Sequence, residues 1–150
     1  MLVDQAREQY ESGYVHWPAK LVLELDNLHA GLALTWAIEC AEALVENVGP
    51  DNKDQLLRWL AELSKSQDNP DSDELMVQAD KIWHEERTIL NTAISHLYAA
   101  LSRRAEGDGN KYRWSLNASL RVMGGHEFHQ QSPLEIPFKL FERFTNNSQL

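Results

Sequence analysis

The residues best able to do chemistry are histidines and carboxylates spaced as metal ligands. His84-Glu85-Glu86-Arg87-Thr88 begins like a zinc-protease helix but carries threonine where the second histidine belongs. His126-Glu127-Phe128-His129 brings its histidines one residue too close for that motif. Asp26 and His29, three apart, form another donor pair. A di-iron bundle would need Glu-x-x-His on two helices, and that pattern does not occur. Glu39-x-x-Glu42 matches the first half of the magnesium motif of all-α pyrophosphohydrolases, but the later Glu-x-x-Asp half is missing. The histidines therefore read as surface or capping residues, with no metal and no cofactor expected. A metal-dependent helical-bundle enzyme using His29, His84, His126 or His129 is the competing reading.

Nucleophilic chemistry has equally little support. Cys40 is the one cysteine, set among Ile38, Ala41 and Leu44 and flanked by Glu39 and Glu42. Apolar neighbours and adjacent negative charge both disfavour a thiolate, so Cys40 reads as a packing residue. No Gly-x-Ser-x-Gly elbow, Walker loop or Gly-x-Gly-x-x-Gly turn is present. With no catalytic residue to name, the chain is not expected to be an enzyme.

Charge points toward binding. The net charge is −9, distributed unevenly. Residues 1–75 hold 5 basic and 15 acidic side chains, whereas residues 76–150 hold 9 and 8. An acidic chain is poorly suited to nucleic acid, because phosphate contacts need Lys and Arg. The exception is Arg103, Arg104, Lys111, Arg113 and Arg121, interleaved with Tyr112 and Trp114. That mixture suits base stacking, but Glu106 and Asp108 dilute it to +3 over residues 103–121. A basic protein partner, steered by the acidic half, is the better fit.

These residues need a scaffold, and the scaffold reads as mainly all-α. A 150-residue chain with 43% hydrophobic residues can bury a core without disulfides. One domain is expected over 1–150, as an irregular bundle of about five to six helices. A short helix spans Asp4 to Ser12, closed near Gly13. Pro18 opens a helical stretch from Ala19 to Val48, with a break expected near Asp26-Asn27 or Gly31. Leu34, Ile38, Ala41, Val45 and Val48 form its apolar face, and Glu39, Glu42 and Glu46 its acidic one. Gly49-Pro50 ends it. Asp51 or Asn52 caps the next helix, carrying Leu56, Leu60 and Leu63. After Ser66 to Pro70, Asp71 and Glu74 resemble a capping box, and one long helix is expected from Ser72 to Ala105.

Residues 111–123 satisfy two patterns. Tyr112, Trp114, Leu116, Ala118, Leu120 and Val122 alternate as in a strand, while Tyr112, Leu116, Leu120 and Met123 make a helical stripe. Helix is favoured and a strand stays open. A last short helix is expected around Phe138 to Phe144. The N-terminus lacks a basic start followed by an apolar run, and no stretch approaches about 18 uncharged apolar residues. Neither a signal peptide nor membrane attachment is expected, and a cytoplasmic location follows. Homo-oligomer formation, or membership of a larger assembly, stays open. Trp59 and Trp83 lie at the edges of their apolar stripes, where tryptophan serves as an interface anchor. With Glu39, Glu42 and Glu46 they make up the expected partner-binding residues.

The segment Leu34-Thr-Trp-Ala-Ile-Glu-Cys-Ala-Glu-Ala-Leu resembles part of a family of small helical bacterial immunity proteins. In that family a similar Trp-Ala-x-x-Cys-Ala-Glu helix precedes a Pro-Asp turn and a second helix ending in Trp. Here the chain continues as Gly49-Pro50-Asp51 and then Leu57-Arg58-Trp59. A later helix, Thr92-Ala-Ile-Ser-His-Leu-Tyr-Ala-Ala, is also similar, so the resemblance covers about residues 30–105. It implies toxin neutralisation by tight binding, without catalysis.

Overall fold

The computed structural model describes residues 2–14, 16–124 and 142–143. Among them the chain forms seven α-helices and no strand, more than the five to six expected. The helices are α1 (Leu2–Glu11), α2 (Trp17–Leu28), α3 (Leu32–Val48), α4 (Lys53–Ser66), α5 (Ser72–Glu85), α6 (Ile89–Ala105) and α7 (Gly109–Met123). The expected helix over 138–144 lies outside the described residues, apart from Glu142 and Arg143, which are helical.

Two breaks shape this order: the first was expected near Gly31, and the second was not. Between α2 and α3 the chain turns through Gly31, whose φ of +84° is open to glycine and strained for other residues. Asp26 Oδ1 then accepts the Ala33 N–H at 3.1 Å, so a side chain of α2 caps α3 from seven residues away. The second break divides the helix expected over 72–105. Thr88 adopts extended backbone and its hydroxyl accepts the Asn91 N–H at 3.1 Å, starting a new helix. Asn91 is fully buried there. Its amide accepts from Thr88 and Asn52 and donates to the Ile82 carbonyl. One side chain thus ties the start of α4, the end of α5 and the start of α6, and satisfies itself.

The strand alternative for 111–123 is overturned. Asp108 caps α7 by accepting the Lys111 N–H, and the buried face is Tyr112, Ser115, Leu116, Ser119, Leu120 and Met123. The apparent alternation counted Trp114 as apolar interior, yet Trp114 is 67% exposed. Small serines complete the helical stripe that larger apolar residues left unfilled.

Helices α3 and α6 form the centre. Helix α6 packs against α3, α4, α5 and α7, and α3 against α2, α4, α6 and α7. Both are rich in alanine at buried positions, including Ala33, Ala37, Ala41, Ala93 and Ala100, which lets neighbouring backbones come close. Serine hydroxyls bridge these approaches. Ser95 Oγ donates to the Ala79 carbonyl at 2.7 Å and Ser102 Oγ to the Ser72 carbonyl at 2.8 Å. As one residue number rises the other falls, so α5 and α6 run antiparallel. Ser119 Oγ donates to the Ala93 carbonyl at 2.8 Å and fastens α7 to the other side. Leu56, Leu60 and Leu63 bring α4 into the same core, each burial stabilising by about 1.5–3 kcal/mol.

Candidate functional site

Helix α3 carries the acidic face. Burial of Leu34, Ala37, Ile38, Ala41, Leu44 and Val45 leaves Glu39 and Glu42 partly exposed and Glu46 exposed. The three glutamates sit at i, i+3 and i+7, on one flank of the helix. No lysine, arginine or histidine occurs among its 17 residues. The cations that reach this face come from elsewhere. Lys53 Nζ pairs with Glu46 at 2.8 Å, and Arg143 pairs with Glu39. Burial raises the Glu42 carboxyl above the usual carboxylate range, and the charge of Glu39 raises it further. Glu46 occupies the last turn, where the helix dipole disfavours an anion.

Cys40, between these glutamates in sequence, is fully buried. Burial pushes its thiol well up, and Glu39 adds to the effect. The thiolate a nucleophile requires is therefore disfavoured.

The tryptophans divide. Trp59 was expected at a stripe edge, free to anchor a partner, but it is only 4% exposed. It lies on the same inward side of α4 as Leu56, Leu60 and Leu63, and its carbonyl accepts the buried Tyr98 hydroxyl at 2.5 Å. Its ring is core, not interface. Trp83 is 41% exposed, as expected. Its ring meets His96 edge-on at 6.0 Å, and His96 meets Trp114 edge-on at 6.2 Å. An aromatic row, exposed at Trp83 and Trp114 and half-buried at His96, thus crosses α5, α6 and α7. Burial lowers the pKa of His96 within this row. His96 was missed, and Trp114 was named only for base stacking among the arginines; it does fall off the Tyr112-Leu116-Leu120-Met123 stripe.

Trp83 does not join the acidic face. Helix α5 packs chiefly on α6, while α3 packs on α2, α4, α6 and α7. The basic segment is likewise dispersed. Tyr112 is buried, with burial raising its hydroxyl pKa far above normal and nearby Asp26 adding to it, so only Trp114 presents an aromatic face there. Arg104 turns inward and lies against Gly31.

Of the candidate metal ligands, His29 is an exposed C-cap of α2, and His84 Nδ1 lies 2.8 Å from the Asp80 carbonyl. His126 and His129 lie outside the described residues. Among the described residues, no three of His, Cys, Asp and Glu come together as a metal-binding group. Among them, too, no helix is long and apolar enough to cross a membrane.

Comparison of the chain with protein-family models, characterised proteins and solved structures finds no match.

Proposed function

We propose that this protein is a non-enzymatic binding protein whose α3 face, formed by Glu39, Glu42 and Glu46, docks onto a basic protein partner. The observation that carries the reading is the electrostatic conflict on that face. Three carboxylates share one flank of a helix that has no cation of its own; Lys53 and Arg143 pair with Glu46 and Glu39, Glu46 still lies at the disfavoured end of the dipole, and Glu42 is left in the field of Glu39. Local rules broken on a surface mark places where something other than stability is served. A lysine or arginine from a partner would relieve the conflict, and the acidic excess of residues 1–75 would speed its approach. Toxin neutralisation, which the resemblance over residues 30–105 implies, is one form of this activity. Trp83, off this face, contributes through a separate contact or not at all.

The test is affinity capture from the source cell with the wild-type chain and a Glu39→Gln, Glu42→Gln, Glu46→Gln variant, followed by titration of each captured protein in pure form. The expected result is a basic partner whose association is slowed by the variant and falls steeply with salt. A purified partner that binds both chains equally at low salt would refute docking through this face.

A further inference from the structure

A second surface feature is independent of the acidic face. Between the start of α2 and the outer side of α7 lies a cavity of about 190 Å³. His16, Pro18 and Ala19 form its α2 wall, and Trp114, Asn117, Ala118 and Arg121 its α7 wall. The residues on α7 stand at i, i+3, i+4 and i+7, so one helix face delivers all four.

Their chemistry is complementary to a particular kind of small molecule. The Trp114 indole is largely exposed and offers a flat apolar surface for a ring to stack on. Pro18, Ala19 and Ala118 add apolar walls that carry no charge. The Arg121 guanidinium takes part in none of the ion pairs among the described residues and presents a fork suited to a carboxylate. The first turn of α2 beside it holds no acidic residue. Asn117 Oδ1 is buried without a hydrogen-bond partner, an unfavourable state for an amide oxygen. Asn117 lines the cavity, so a ligand N–H or O–H entering it comes within reach of that amide. Asn117 and Arg121 are one turn apart, about 6 Å along the helix axis, a separation that a single substituted ring bridges.

We propose that this cavity binds a small planar aromatic carboxylate bearing a hydrogen-bond donor across the ring. The ring stacks on Trp114, the carboxylate pairs with Arg121, and the donor meets Asn117.

The experiment titrates the full chain with 4-hydroxybenzoate, benzoate and phenol, using calorimetry and the indole N–H shift of Trp114 by NMR. The expected result is saturable one-to-one binding of 4-hydroxybenzoate with Trp114 shifted, and weaker binding of the two compounds lacking one group. Arg121→Gln should weaken 4-hydroxybenzoate about tenfold or more, the usual effect of removing a charged hydrogen-bond partner. Trp114→Ala should do likewise, and both residues are exposed enough for the variants to fold. Asn117→Leu should abolish the preference over benzoate. The variant lacking the α3 carboxylates should bind 4-hydroxybenzoate unchanged, which separates this site from partner docking. Absence of saturable binding up to the solubility limit overturns the proposal, as does undiminished affinity in both Arg121→Gln and Trp114→Ala.

Discussion

Replacing Glu42 with glutamine should make the protein more stable while weakening the docking onto a basic partner proposed for α3. Glutamine keeps the shape and nearly the helix propensity of glutamate, so the substitution isolates charge. Glu42 stands three residues from Glu39 and four from Glu46, and each like-charge pair at these spacings costs about 0.2–0.5 kcal/mol. Glu39 and Glu46 have their own cations in Arg143 and Lys53, which softens the repulsion, while partial burial of Glu42 adds to the cost. Glu42→Gln should therefore gain about 0.5–1 kcal/mol at pH 7. In a chain of this size that raises Tm by about 1–4 °C.

The pH dependence gives the sharper check. The folded-state pKa of Glu42 is raised, so between the unfolded and folded values the native state holds more protons than the unfolded one. Stability then falls with rising pH across that window, and the cost is complete above it. The gain from Glu42→Gln should be full at neutral pH and vanish below the ordinary glutamate pKa. Thermal unfolding by circular dichroism at several pH values measures it. A neutral or destabilising effect at pH 7, or a gain that does not change with pH, would refute the conflict on α3 and the proposed function's main support with it.

Other expectations concern the frame and its buried groups. Gly31→Ala meets a left-handed backbone cost of about 1–2 kcal/mol and places a Cβ 2.7 Å from Arg104 Nη1. Gly49→Ala meets a positive φ of 61° with nothing within 4 Å. Denaturant titration should show the larger loss at Gly31, with Arg104→Ala removing the excess in the double variant; equal losses would mean Arg104 does not approach so closely. Cys40 should resist a disulfide-exchange reagent at neutral pH until the protein unfolds, and fast labelling of the folded chain would contradict its burial. His96, with its pKa lowered by burial, should add stability above the ordinary histidine pKa that is lost as pH falls through the folded value. Comparing wild type with His96→Gln from pH 4 to 8, a range of roughly two units either side of the histidine pKa, should show the two curves diverging at the acid end.

Helix identity was largely legible in the chain because local rules carry it. Gly13, Gly31 and Gly49 announced stops, Asp71 and Pro18 announced starts, and the leucines of α4 marked their face by spacing alone. The acidic flank of α3 followed from the same periodicity. One boundary and part of one buried face escaped because their causes are weaker signals. Thr88 and Asn91 divide α5 from α6 through a cap that a continuous apolar stripe concealed. In α7, Ser115 and Ser119 occupy core positions, where hydrogen bonds to another helix make a hydroxyl acceptable.

Exposure was the quantity periodicity could not supply. Trp59 and Trp83 look alike as edge residues, yet Trp59 is core because α4 turns that flank toward the interior and its carbonyl meets Tyr98, while Trp83 stays on the outside of α5. His96 joins Trp83 and Trp114 across three helices, and Trp114, Asn117 and Arg121 line one cavity with His16, which is far from them in sequence. Such meetings depend on which helix faces pack together, and that is decided by close approach at alanines and serines summed over the whole core. Composition and spacing determined a helical, acidic chain without a catalytic motif. Only the tertiary structure decided which side chains face outward and which of them come together.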